Sequence, residues 1–356
     1  NIFKFSHDHK INLSEVTDFS ANINLLGPSP KGLEALNERL RYISHYPDVT
    51  NDDVMNTIAD VYGIEKDSIL LGNGAAELIY AVGRLSGFTG AFVPAPGFSE
   101  YQASMDAANI QVREIFYRQR QNDDGTPYFE VPYLALQTFA AELKGQDGRI
   151  IVFLGNPNNP DGTLLDKQSI KVLAQMLKDA NSLLVIDESF IDFVGNDTLQ
   201  DNEYSMRSLV NEFDNIIVVH SFTKFYAVPG LRIGAAFSDP LIIEQINSFI
   251  PTWSVNTLAQ AYTEAALNDV EYVKRTKQEL REEQGFVYSS LDAIPSITVY
   301  PPSANFILFH INQEGITAES INEALKKHNM IIRNCDSYMG LNNQWVRVAI
   351  KDHDTN

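Results

Sequence analysis

Ser221-Phe222-Thr223-Lys224-Phe225-Tyr226-Ala227-Val228-Pro229-Gly230-Leu231-Arg232 decides the reading of this chain. It follows an apolar run, Ile216 to Val219, which predicts a buried parallel strand. Two hydroxyls stand three and one residues before Lys224, and Arg232 follows eight residues after it. Hydroxyls, lysine and arginine at the carboxyl end of a strand can hold a phosphate beside an amine. A lysine desolvated there becomes a nucleophile for carbonyls. Pyridoxal phosphate needs both features, one end gripped as a dianion and its aldehyde bonded to an amine. The alternative is a surface lysine in a Pro-Gly loop.

Moving outward, other strand ends carry polar groups as well. After Ile69-Leu70-Leu71 comes Gly72-Asn73-Gly74-Ala75-Ala76-Glu77 and an apolar helix. Strand, glycine loop and helix make a phosphate-binding arrangement at a helix N-terminus, although Gly-Asn-Gly also suits a tight turn. Ala91-Phe92-Val93 leads into Pro94-Ala95-Pro96-Gly97-Phe98-Ser99-Glu100-Tyr101. Phe98 could stack on a flat ring there or simply fill the core. Ile150 to Leu154 precedes an amide-rich turn, Gly155-Asn156-Pro157-Asn158-Asn159-Pro160-Asp161-Gly162. Leu183 to Ile186 ends in Asp187-Glu188, where one carboxylate could pair with a protonated pyridine nitrogen or serve as a cap.

Alternating strands and helices predict a mostly parallel α/β sheet with helices on both faces and its polar strand ends on one edge. No GxGxxG follows the first strand, which disfavours a dinucleotide. Beyond Asp239 the pattern changes to a long helix over about 270–291 and short strands at 298–300, 305–310, 330–333 and 345–350, a smaller α+β domain. Arg333 and Arg347 are expected at strand ends flanking a Gly-bearing loop, where their forks suit carboxylates and phosphates. The expected division is an N-terminal arm (1–40) joining the small domain, a large domain (41–245) and the small domain (246–356).

The first stretch, Phe3 to Asn12, reads as a loop in which His7 and His9 alternate, with no supporting metal cluster. Asn22 and Asn24, within Asp18 to Asn24, either face a cleft or form turns. The helices expected are 30–44, 52–62, 134–143 and 166–179, with 118–129 as a polar surface excursion.

With 356 residues, 44% of them hydrophobic, the chain can bury a large core. A net charge of −19 argues against nucleic acid and anionic membranes, but not against a small anionic substrate met by local cations. The single cysteine, Cys335, excludes an intramolecular disulfide and fits a reducing cytoplasmic setting as a small buried residue. No 18-residue apolar run or signal pattern is present, so a soluble protein that is not exported is expected.

Asn156 to Gly162, Asp187-Glu188-Ser189-Phe190-Ile191-Asp192-Phe193, Ser221 to Lys224 and Pro229 to Arg232 together resemble the fold-type-I pyridoxal-phosphate-dependent aminotransferase superfamily. Within it, Asp18 to Asn24, Pro96 to Tyr101, Trp253-Ser254-Val255-Asn256 and Tyr338-Met339-Gly340-Leu341 are most similar to the L-threonine-O-3-phosphate decarboxylases of cobalamin biosynthesis, near relatives of histidinol-phosphate aminotransferases. The resemblance implies that Lys224 bonds the cofactor aldehyde, Asp187 pairs with the pyridine nitrogen, Asn159 holds the ring hydroxyl and Phe98 stacks on the ring. It implies a phosphate site of backbone at Gly74, Ala75 and Ala76 with Ser221, Thr223 and Arg232. Tyr46 would reach it from the other subunit of a homodimer. Arg333 and Arg347 would bind the substrate's anions, with His7 and Asn22 at its phosphate. Two departures stand out. His7-Asp8-His9-Lys10 occupies the place of the decarboxylases' His-Gly-Gly-Asn, and Asp161 that of the threonine in Asn-Pro-Thr-Gly. Phe190, where the aminotransferases usually carry tyrosine, favours the lyase. Three activities are weighed: the decarboxylase, an aminotransferase on a phosphorylated amine, and a non-catalytic cofactor-binding regulatory domain.

Overall fold

In a computed structural model, which describes residues 2–143, 145, 148–200 and 202–356, seven strands form the central sheet. They are β1 (Ile69–Gly72), β2 (Phe88–Ala95), β3 (Gln111–Phe116), β4 (Arg149–Gly155), β5 (Leu183–Asp187), β6 (Ile216–Ser221) and β7 (Gly234–Ser238). Their spatial order is β1-β7-β6-β5-β4-β2-β3. The ladders from β6 to β3 are parallel, whereas β7 runs antiparallel to both β6 and β1. β4, β5 and β6 are buried almost throughout, as expected of apolar runs covered by helices on both faces. Val185 and Val219 point into one apolar layer, and Leu184, Ile186 and Val218 into the other.

The antiparallel strand was not expected. Gly-Ala-Ala-Phe-Ser carries no β-branched residue, so it gives little strand signal. Its direction matters to the site. Its first residue, Gly234, pairs with Ser221 at the carboxyl end of β6, so the whole loop carrying Lys224 and Arg232 stays on that edge.

The second layer is a four-stranded antiparallel sheet, β8 (Ile297–Tyr300), β9 (Phe306–Ile311), β10 (Arg333–Asn334) and β11 (Trp345–Ala349), in the order β8-β9-β11-β10. The helix Val270–Asp292 packs on it. The single strand expected over 330–333 is two pieces. Met330–Ile331 instead pairs in parallel with Thr17–Asp18 near the N-terminus. Arg347 lies within β11 rather than at a strand end, directly across from Arg333.

Three local expectations change. Residues Ile2–His9 are helical rather than a loop; Phe5 is buried there and stacks on His9, with ring centroids 4.2 Å apart. The polar excursion is a hairpin, Arg118–Gln121 with Pro127–Glu130. The helix from Pro30 stops at Arg39 and continues as a 3₁₀ turn, Leu40–Tyr42. Among the described residues no helix is long and apolar enough to cross a membrane.

Candidate active site

β6 delivers Ser221 to the sheet edge, and a single turn of helix, Phe222–Phe225, follows. That turn folds the three polar side chains together. Lys224 Nζ donates to Ser221 Oγ and Thr223 Oγ1, each at 3.2 Å, and the two hydroxyls lie 2.8 Å apart. Burial pulls the Lys224 amine down to about 8, partly offset by Asp187 and reinforced by Arg232. About one lysine in ten is then neutral at pH 7, against well under one in a thousand at the ordinary value. The amine is thus prepared to attack a carbonyl.

Asp187, at the end of β5, is buried and accepts hydrogen bonds from the Tyr101 hydroxyl (2.8 Å) and the Ser189 amide (2.9 Å). These two donors fix the orientation of its carboxylate at the strand end. In the sequence Tyr101 stands out only as the last residue of the Pro96 to Tyr101 stretch. Its signal was its place one helical turn beyond Phe98, whose ring meets it edge-on at 5.6 Å.

The loop after β1 forms a cup. Gly74 has φ +82°, and a Cβ there would stand 2.4 Å from Arg232 Nη2. A Cβ on Gly234 would stand 2.6 Å from the Ala75 amide nitrogen. Both glycines therefore permit the approach of backbone and guanidinium that a phosphate between them would use. Ala75 and Ala76 open the helix Ala75–Val82, and the first amides of a helix have no partner within it. Arg232 is exposed, with Nη1 donating to Pro229 O at 3.3 Å. Tyr46 is 78% exposed and stacks on Trp253 of its own chain at 4.4 Å.

A second cavity, of about 600 Å³, is lined by Ser20, Phe98, Asn159, Arg333, Tyr338 and Arg347, among others. Asn159 Oδ1 accepts from Arg347 Nη1 and from the Tyr338 hydroxyl (3.1 Å). Arg347 Nη2 donates to Ser20 O (2.7 Å) and Arg333 Nη2 to Ser337 Oγ (3.1 Å). The Nε atoms of both arginines are buried without a partner, and neither arginine forms an ion pair among the described residues. Burial lowers the Arg347 pKa from its ordinary value.

The remaining sequence candidates divide. Asn22 is buried, with Oδ1 unpartnered. Asn24 holds structure instead, donating to Phe225 O (2.6 Å) and Thr276 Oγ1 (2.9 Å). His7 is not brought to this cavity. Its side chain is 90% exposed on the N-terminal helix, beside Asp8. Phe190, buried against Phe306, lies under Lys224, with Nζ 5.8 Å from its ring centre. Asp161 is buried, accepting from Asn158 Nδ2 and the Thr163 amide (2.8 Å), and burial pushes it up to about 6. Cys335 is buried, which raises its thiol to about 11. No cluster of three potential metal ligands occurs among the described residues.

The residues present fit pyridoxal phosphate: an amine of lowered pKa, a buried carboxylate and a cup too tight for a Cβ. Comparison with known proteins gives the same answer. The model of the aminotransferase class I and II family matches residues 14–356. The chain is 33% identical over 347 residues to a threonine-phosphate decarboxylase of Salmonella typhimurium, covering 96% of this chain and 88% of that one. It is 32% identical over 358 residues to an adenosylcobalamin biosynthesis bifunctional protein of Leptospira interrogans, covering all of this chain but spanning only 39% of that protein's length. The crystal structure of a histidinol-phosphate aminotransferase from Clostridium acetobutylicum superposes with a TM-score of 0.83 at 26% identity, covering 96% of each chain. This chain belongs to the class I and II aminotransferase family, and it is a pyridoxal-phosphate-dependent enzyme with the fold-type-I architecture.

Proposed function

We propose that this enzyme decarboxylates L-threonine O-3-phosphate to 1-amino-2-propanol O-phosphate and CO₂, a step of cobalamin biosynthesis. The carrying observation is the arginine pair. Arg333 and Arg347 face each other across β10 and β11, border one cavity, and keep a buried Nε each without a partner. Opposed like charges are unfavourable without an anion, so the site suits a substrate with two anionic groups.

In this reading Lys224 would hold the cofactor aldehyde, Asp187 its ring nitrogen and Asn159 its ring hydroxyl. Phe98 would lie against the ring, and Gly74, Ala75, Ala76, Ser221, Thr223 and Arg232 would hold its phosphate. When bound, the cofactor takes up the electron pair of whichever bond at the substrate's α-carbon stands perpendicular to its ring. Asp187 would hold a proton on the ring nitrogen. Arg333 and Arg347 grip carboxylate and phosphate and so choose which bond stands upright, with Asn22 reaching the phosphate. With the carboxylate held upright, loss of CO₂ would be favoured, and Lys224 would be placed to return a proton to the α-carbon. With the Cα–H upright, Lys224 removes that proton. Lyase and transferase thus differ in substrate pose more than in catalytic group. Phe190 supports the lyase, because it offers no hydroxyl beside Lys224.

The second reading, amino transfer from histidinol phosphate or a similar amine, draws on Asp336, a carboxylate at the same cavity that could accept from an imidazole N–H. We further propose that the working unit is a homodimer in which Tyr46 reaches the partner's cofactor phosphate. Tyr42, Ile43, Tyr46, Val49 and Trp253 are all exposed in the single chain, as an apolar face awaiting a second copy would be. The deciding experiment compares CO₂ release from phosphothreonine with amino transfer from histidinol phosphate to 2-oxoglutarate. CO₂ release is expected to dominate, and dominant amino transfer would replace the lyase reading with the second.

A further inference from the structure

The segment between the helices Pro240–Asn247 and Thr257–Leu267 is bonded to the loops assigned to the cofactor-phosphate cup. It is fastened at three places. Ser254 Oγ donates to Glu77 Oε2, which also accepts the Asn73 amide at 2.6 Å, so the segment is tied to the loop after β1. Asn256 caps its helix by accepting from the Ala259 amide (2.9 Å), and its Nδ2 donates to Leu231 O (2.8 Å), beside Arg232. Trp253, held at φ +63°, carries the stack with Tyr46, and Gln260 Nε2 donates to Asp48 O (3.1 Å) in the turn after it.

These ties reach the two loops to which this chain's phosphate site is assigned, the Gly74 loop and the Arg232 loop, and also the Tyr46 turn, which is assigned to the partner's site. The Glu77 carboxylate is otherwise a puzzle, since a cup for a dianion gains nothing from a neighbouring anion. Its position resolves this. Two donors take up its charge, and it lies in the first turn of Ala75–Val82, where the helix dipole favours an anion. It also engages the Asn73 amide, leaving those of Ala75 and Ala76 at the cup.

We propose that Trp253–Asn256 is a clasp that sets the width of the cofactor-phosphate cup, with Ser254 and Glu77 as its positioning residues. The inference rests on placing the cofactor phosphate between Gly74–Ala76 and Arg232, independently of which substrate is used.

The test compares pyridoxal phosphate with pyridoxal, which lacks the phosphate, by titrating each into cofactor-free enzyme and following the absorbance of the lysine-bound form. The wild type should prefer pyridoxal phosphate. Ser254→Ala should weaken pyridoxal phosphate roughly ten-fold and leave pyridoxal within about two-fold. Glu77→Ala should do the same, with the double variant no worse than the weaker single one, because both remove one linkage. Glu77→Gln keeps an acceptor oxygen and should recover most of the affinity. Unchanged affinity for pyridoxal phosphate in Ser254→Ala would overturn the clasp, as would equal losses for both compounds, the mark of general loosening. A wild type without preference would overturn it at its foundation, by removing the phosphate from the cup. If Glu77→Ala does not fold, Ser254→Ala decides alone.

Discussion

The two halves of the active site keep their hydrogen bonds differently. On the large-sheet edge the polar groups satisfy one another: Lys224 with Ser221 and Thr223, and Asp187 with Tyr101 and Ser189. On the small-sheet side two guanidiniums stand opposed, each with a buried Nε unpaired. An unsatisfied buried polar atom costs about 1–3 kcal/mol. At this site the arginine pair carries that cost on charged groups, although other buried polar atoms of the chain, such as Asn158 Oδ1 and His220 Nδ1, also lack partners. The difference separates a permanent resident from a visitor. In the proposed reading the cofactor half is prearranged and held by internal bonds, whereas the substrate half would keep unmet donors for an arriving anion. Asn159 joins the halves, since its Oδ1 takes both Arg347 and Tyr338.

The hardest blow to this contrast falls on the cofactor side. Lys224→Ala should lower turnover by about three orders of magnitude or more while pyridoxal phosphate still binds, because base and tether are lost together. Borohydride reduction and peptide mapping of the wild type should place the cofactor on Lys224 alone. A label elsewhere would remove the basis of the contrast.

On the substrate side, Arg333→Ala and Arg347→Ala should each lower kcat/KM for phosphothreonine roughly ten- to a hundred-fold, matching about 1.5–3 kcal/mol for a charge-assisted partner. Each should also erase the preference over an analogue lacking one anion. Threonine handled as well as phosphothreonine by the wild type would mean that the unmet donors do not await a second anion.

The smallest effect sharpens the boundary between the halves at Asp161. Its folded pKa of about 6 lies above that of a free carboxyl, so the folded state binds the extra proton. The stability from this group is complete below about pH 4 and is lost as pH rises through about 6. Asp161→Thr should therefore be more stable than wild type at pH 8, on the order of 1 kcal/mol, with the gain shrinking towards pH 4. Urea unfolding at both pH values reads this directly.

Those halves were also unequally legible in the sequence. β4, β5 and β6 announce themselves as apolar runs, and the polar residues at or just after their ends, Asn156, Asp187 and Ser221, lie on one edge because parallel strands share a direction. The residues proposed for the cofactor lie at or near those strand ends, while their separate roles come from the family resemblance. The substrate side depends on pairing between distant short strands, which no local pattern specifies. Arg333 and Arg347 were expected to flank a loop, and only the β10–β11 register shows them opposed. Glu77 and Ser254, 177 residues apart, gave no signal of their contact. The N-terminal helix escaped because its Phe, His and Asp residues are weak helix formers and only Phe5 is buried.

The antiparallel direction of β7 has a consequence for how the molecule assembles. Ser221 pairs with Gly234, so the chain between them closes over a short sequence separation. Closure entropy rises only with the logarithm of loop length, and contacts near in sequence form without waiting for distant ones. Lys224 and Arg232 are therefore positioned within one hairpin. The two opposed arginines belong to a separate sheet. Insertions or drift in that sheet can retune which molecule is accepted while the spacing of lysine and arginine stays fixed, a division under which one cofactor engine can serve many substrates.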